Sequence, residues 1–221
     1  MILQFLIMGR GRRSQDEYSD MLKIKSKYKI CKRLGSSVFE QCQTQKFTLS
    51  EARSSKMRRR RRNVSDYGKQ LLEKQKLRFT YGLTEKQLTK YVNEANNNPE
   101  PRLALNKLLE LRLDNIIYRV GLTPTRRSAR QLASHGHITV NGKKTNVPSR
   151  QLKIGDAIAV REGSKDSPLF AEIIKGEKTE ALPNWLVFDA KNLSGQVKGE
   201  PVISVGDSLI DYSAVFEYYS R

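Results

Sequence analysis

"LRLDNIIYRVGLTPTRRSARQLASHGHITVNGKK", Leu111–Lys144, changes its hydrophobic period halfway along. Leu113, Ile116, Ile117 and Val120 recur at helical spacing. Gly121 and Pro124 then break the chain, and Thr125 is placed to cap a further helix with Ala129, Leu132 and Ala133 facing inward. Gly136 stands just past the end of that helix, where a left-handed residue closes it. From His137 the period becomes two, with Ile138 and Val140 alternating with His137 and Thr139. Asn141-Gly142 supplies the positive φ angles of a type I′ hairpin turn, and Lys143 and Lys144 leave that turn on the returning strand. Arg126 and Arg130 fall one turn apart on the outer helix face, with Arg127 beside them. The stretch predicts two helices leading into a Lys-tipped antiparallel hairpin.

The Arg112-Leu113-Asp114 triplet admits a competing reading, because enzymes that isomerise uridine in RNA carry such a triplet around a catalytic aspartate. Here the triplet lies inside a helical apolar stripe. No apolar strand run follows Gly121-Leu122; Thr123-Pro124-Thr125 begins another helix instead. Asp114 is therefore expected to be a helix cap or helix-surface residue. No Walker-type loop, nucleophile elbow or H-E-x-x-H motif occurs. The chain reads as a binder, not an enzyme, with no small-molecule substrate.

Charge points to the partner. The 221 residues hold 41 Lys and Arg against 23 Asp and Glu, a formal net charge of +18. The excess is uneven: residues 1–97 hold 23 basic and 9 acidic residues, 98–181 hold 15 and 9, and 182–221 hold 3 and 5. Such clustering implies a polyanion, most simply nucleic acid. No apolar run reaches the roughly 18 residues that span a bilayer, so no membrane partner is expected. The opening "MILQFLIMGRGRR" is apolar first and basic second, the reverse of a secretory signal, and Met8 is a second candidate start. Asp16, Glu17 and Asp20 argue against an organellar transit peptide, leaving a cytoplasmic location as the expectation. Cys31 and Cys42 are the only cysteines, which fits a reducing compartment. A structural zinc site takes about four ligands, so neither a metal nor a cofactor is expected.

Outward from the hairpin, residues 1–64 read as a basic, irregular extension ending in "KMRRRRR", Lys56–Arg62. Arg58, Arg59, Arg60, Arg61 and Arg62 repel one another and suit a phosphate-binding arm that orders on RNA. Ser65 caps the next helix, studded with Lys69, Lys74, Lys76 and Arg78 and stopped by Gly82. Thr84 and Gln87 form a capping box, with Leu83 and Leu88 as its hydrophobic staple. Leu105, Leu108 and Leu109 make one apolar face after Pro101. "LKIGDAIAV", Leu152–Val160, adds a turn and a strand, and residues 168–174 are expected to add another. The acidic tail holds Trp185, Tyr212, Phe216, Tyr218 and Tyr219, expected to pack on the helical region.

The basic helix, glycine and Lys-tipped hairpin strongly resemble the S-four-type RNA-binding domain. The resemblance extends to "SDYGKQLLEKQKLRFTYGLTEKQLTKYV", "PNWLVFDAKNLSGQVKGEP" and "EYYSR", which are similar to the helical region and tail of the bacterial small-subunit ribosomal protein S-four family. It implies an α+β fold: a helical domain at 65–97 completed by a tail at 182–221, with an inserted module at 98–181 of helices packed on a small, mostly antiparallel sheet. It further implies a structural protein that binds small-subunit rRNA early, organises a multi-helix junction of its 5′ domain, and sits where mRNA enters, beside other small-subunit ribosomal proteins. The RNA-binding residues expected are Arg58–Arg62, Lys69, Lys74, Lys76, Arg78, Arg112, Arg126, Arg127, Arg130, His135, His137, Asn141, Lys143 and Lys144. The sequence departs from the family in lacking the four N-terminal cysteines of zinc-holding members, and "PVISVGDSLID" replaces a more charged stretch.

Overall fold

Helices run from α1 to α7 before the chain turns to strand in the computed structural model, which describes residue 24 and residues 26–35, 38–57, 65–165, 167–170, 182–202 and 210–221. The helices are α1 (Lys27–Leu34), α2 (Gln45–Met57), α3 (Asp66–Thr80), α4 (Glu85–Asn96), α5 (Pro101–Glu110), α6 (Leu113–Arg119) and α7 (Arg126–Ser134). Strands β1 (Ile138–Val140), β2 (Lys143–Thr145) and β3 (Ala157–Val160) follow, then a single turn of helix, α8 (Glu162–Lys165). β4 (Leu186–Asp189), β5 (Ser194–Val197) and α9 (Tyr212–Tyr219) complete the described chain. The five strands form one antiparallel sheet in the order β2-β1-β3-β5-β4. The α+β class expected from the sequence is what the chain adopts.

The local signals act where the sequence placed them. The Ser65 hydroxyl accepts from the Gly68 amide at 3.3 Å, and that of Thr125 from the Ser128 amide at 3.1 Å. Thr84 and Gln87 close a reciprocal capping box. Asn141 and Gly142 take φ angles of 50° and 75°, the left-handed pair that a tight hairpin between twisted strands requires. Gly136 has φ 74°, and a Cβ there would collide with the Lys144 side chain crossing it. The glycine thus brings the end of α7 and the hairpin together.

Three apolar cores form among the described residues. The first gathers α6, α7 and the sheet around Ile116, Ile117, Ile138, Val160 and Phe170. The second gathers α3, α4, α5 and α9 around Leu77, Leu88, Leu105, Leu109 and Val215. The third is small, with Cys31, Phe39, Cys42 and Phe47.

These cores correct four expectations. Residues 1–64 are not irregular throughout: α1 and α2 pack around Cys31 and Cys42, their short apolar stripe masked in the sequence by intervening lysines and arginines. α5 lies beyond the 97/98 boundary, yet buries Leu105 and Leu109 in the helical core. The 182–221 tail splits. Trp185, Leu186, Leu193 and Val197 join the module's core because β5 pairs with β3, whereas Tyr212, Phe216 and Tyr219 of α9 pack on the helices. Residues 168–170 are helical, not strand, and residues 171–174 lie outside the described residues.

Asp114 is neither a cap nor a surface residue. Arg112 is the N-cap of α6, and Asp114 sits inside the first turn, 5 % exposed. Arg112 is 0 % exposed; its Nε and Nη2 donate to Asp114 Oδ1 and Oδ2 at 3.0 and 2.6 Å, and its Nη1 to the Tyr91 hydroxyl at 2.6 Å. A buried ion pair of this kind stabilises little relative to apolar residues, but breaking it strands a charge. Arg112→Met should therefore cost about 3–5 kcal/mol in denaturant-measured stability, and adding Asp114→Leu should recover most of that loss. A single variant as stable as the double would show that breaking the pair strands no charge.

Candidate nucleic-acid interface

Cations in this protein fall into two populations: those spent on internal partners and those left facing solvent. Burial decides which, because a charge removed from water needs a partner.

Lys74 belongs to the first. It is 5 % exposed, its Nζ donates to Glu85 Oε1 at 2.7 Å, and it lies 4.2 Å over the Tyr218 ring. It is spent inside the protein, where it ties α3 to α4 and α9. Arg112 is corrected in the same way by its burial under Asp114 and Tyr91. Lys76 pairs with Glu73, and Arg78 reaches the Leu83 carbonyl and Glu85 Oε2, each at 3.3 Å. Asn141 is exposed but committed: its Nδ2 donates to Asp156 Oδ1 and its Oδ1 accepts from the Ala157 amide, both at 2.8 Å. That clamps the turn at Gly155-Asp156 to the hairpin.

Arg126 and Arg130 are not on an open face either. The Arg126 guanidinium lies 4.3 Å from the Tyr118 ring centre and 5.1 Å from that of Tyr81, and its Nε donates to Asn115 Oδ1 at 2.9 Å. Arg130 is partly buried, with Nη1 3.9 Å from Asp114 Oδ2. Arg126 leans back onto Asn115, Tyr118 and Tyr81, and Arg130 towards Asp114.

Of the residues expected from the sequence to meet RNA, Arg127, His135, Lys143 and Lys144 face solvent, with Lys69 on the helical unit in an exposed pair with Asp66; Lys86, Lys90, Arg102 and Lys153 are among the other exposed cations. His137 is partly buried, its Nδ1 3.0 Å from Ser164 Oγ, and its ring centre lies 6.1 Å from that of exposed His135. Arg150 and Arg161 are also exposed and were not singled out from the sequence. Their signal was position: Arg161 directly follows β3, and its amide donates to the His137 carbonyl, bringing it to the end of α7. Arg58–Arg62 lie outside the described residues.

Beneath these cations Glu110, 4 % exposed, holds the two larger cores together. It accepts from the Tyr81 hydroxyl at 2.6 Å and from Asn115 Nδ2, Arg119 Nε and Arg119 Nη2, each at 2.9 Å. Burial pushes its carboxyl up, but the hydrogen bonds and charge of Arg119, helped by Tyr81 and Arg126, more than offset that and leave it below its ordinary value of 4.5. Burial and the Glu110 charge push the Tyr81 phenol well up, so it stays a donor.

A basic helix running through a left-handed glycine into a Lys-tipped hairpin, on a sheet backed by helices, defines an RNA-binding module. The family model described as "S4 domain" matches residues 111–158, and that described as "Ribosomal protein S4/S9 N-terminal domain" matches residues 23–111. The chain is 48 % identical over 166 residues to "Small ribosomal subunit protein uS4" of Levilactobacillus brevis, covering 73 % of this chain and 81 % of that protein. It is 39 % identical over 199 residues to the protein of the same name from Heliobacterium modesticaldum, covering 87 % and 96 %. The chain belongs to the uS4 family of small ribosomal subunit proteins. These relatives are ribosomal proteins and not enzymes, so the catalytic reading of Asp114 is set aside in favour of its ion pair.

The depressed Glu110 carboxyl predicts an acid-side loss of stability. A folded-state value below the unfolded one means the stabilisation is fully present above pH 4.5 and is lost as pH falls through the folded value. Denaturant titrations across that window should show a steeper acid loss for the wild type than for Glu110→Gln. Identical pH profiles would remove Glu110 as the linked group.

Proposed function

We propose that this chain is a structural constituent of the small ribosomal subunit that binds small-subunit rRNA at a multi-helix junction of the 5′ domain and helps nucleate assembly there. The observation that carries the reading is the sorting of cations: Arg127, Lys143 and Lys144 face solvent from the two arms of one rigid helix-hairpin corner. A-form RNA is recognised through shape, phosphate and 2′-OH contacts, which a fixed charged surface suits better than flexible base readers. Arginine adds a planar fork that takes phosphate bidentately. His135, exposed beside the same corner, can donate to phosphate or 2′-OH. Lys69 and the Arg58–Arg62 arm would extend the contact from the N-terminal side. Neighbouring small-subunit proteins, mRNA where it enters the subunit, and a cytoplasmic ribosomal location complete the reading. No helix among the described residues is long and apolar enough to cross a membrane.

Affinity for the 5′-domain junction should fall steeply with salt, since each neutralised phosphate releases counterions. Replacing Arg127, Lys143 and Lys144 together with alanine should make the salt slope shallower by roughly one unit per lost contact. Filter binding across a salt series, run beside a duplex of equal length, checks this. Equal affinity for the duplex, or a triple variant with the wild-type slope, would contradict the proposal.

A further inference from the structure

A cleft of about 70 Å³ opens where α1, the end of α3 and the start of α7 meet. A water needs about 10–15 Å³ of such space, so this cleft has room for several water-sized groups rather than a single ion. Phe39, Phe79 and Tyr81 contribute aromatic surface to it, while Lys27, Arg127 and Arg130 bring positive charge. Phe39 and Phe79 meet edge-on, ring centres 6.2 Å apart at 67°, which leaves the two rings in different planes around the space. Arg130 adds a second observation. Its Nη1 is fully buried and has no hydrogen-bond acceptor within reach; the nearest carboxylate oxygen, Asp114 Oδ2, stands at 3.9 Å and already accepts from Arg112. A buried donor left unmatched is costly, and Arg130 is one of the residues that line the cleft.

Aromatic surface plus cations, with an idle arginine donor, is the chemistry that holds an unstacked nucleotide: the base lies against rings and the phosphate pairs with charge. A base that presents acceptors to arginine, as guanine does through O6 and N7, matches Arg130 best. We infer that this cleft takes one unpaired guanosine nucleotide of the bound RNA, its base among Phe39, Phe79 and Tyr81 with an acceptor edge towards Arg130, and its phosphate on Lys27 and Arg127. The inference rests on the RNA-binding reading and adds to it a nucleotide-sized site that shares Arg127 with the hairpin corner. It also gives the N-terminal unit a role: α1 and the residues after it complete a wall that α3 and α7 alone leave open.

The test uses the isotope-labelled full chain, titrated separately with guanosine monophosphate and with ribose 5-phosphate at matched ionic strength. Guanosine monophosphate should shift the amides of Phe39, Phe79 and Gly82, and ribose 5-phosphate should bind there about five-fold or more weakly, because it lacks the stacking base. Arg130→Met, which keeps the apolar stem, and Lys27→Ala, at the cleft's basic side, should each weaken the nucleotide while leaving the amide pattern of the rest of the chain in place. Equal affinity for ribose 5-phosphate reduces the cleft to an anion site and overturns the inference, as does the absence of shifts at the lining amides. Junction-RNA binding by the same sample separates the two levels. If that binding is intact while the nucleotide fails, only the cleft is misread; if both are lost, the RNA-binding reading falls with it.

Discussion

Glu110 sits at the end of α5 with its carboxylate closed off from water, and the arrangement of both larger cores turns on how that charge is matched. Tyr81 reaches it from the end of α3, and Asn115 and Arg119 from α6. Asn115 in turn accepts from Arg126 on α7, whose guanidinium is held beside Tyr81 and Tyr118. Four helices are thus tied by one ionised group. A buried carboxylate tolerates few alternative geometries, since each lost hydrogen bond leaves a desolvated charge short of a partner. The helical unit and the hairpin module are therefore held in one orientation by chemistry that cannot slide, whereas apolar surfaces alone allow repacking.

That constraint explains how a chain with a formal charge of +18 presents a defined surface. Lys74, Arg112, Arg119 and Arg126 are consumed as structural donors, each against an acceptor on another turn or helix. Among the cations left outside, Arg127, His135, Lys143 and Lys144 are displayed on elements packed against one another. Gly136 adds the last fixing point, because Lys144 crosses directly over it. Neighbouring arginines of a single helix are thus divided: Arg126 is held internally and Arg127 faces the solvent.

Local chemistry was legible in the sequence. The caps at Ser65, Thr84 and Thr125, the stops at Gly82 and Gly136 and the hairpin at Asn141-Gly142 all depend on residues within a few positions of one another. Charge burial was not, because the partner that decides it lies far along the chain or on another element. Lys74 resembles Lys69 by local spacing, yet Glu85, Tyr218 and Tyr219 enclose one and not the other. Trp185 shows the same limit for apolar residues: an acidic, aromatic tail gave no hint that β5 would pair with β3 while α9 turned to the helices. Asp114 was misplaced for a related reason. Its position near a helix start is what a capping residue would show, and only the buried Arg112 behind it reveals the pair.

On the proposed reading, a buried carboxylate beneath the charged surface sets how that surface meets RNA. Junction-RNA affinity of Glu110→Gln, measured across a salt series beside the wild type, tests it most directly. Loss of the rigid frame without loss of any phosphate contact should lower affinity several-fold while leaving the salt slope unchanged, because the slope counts released counterions. A Glu110→Gln protein that binds the junction as tightly as the wild type would contradict the account.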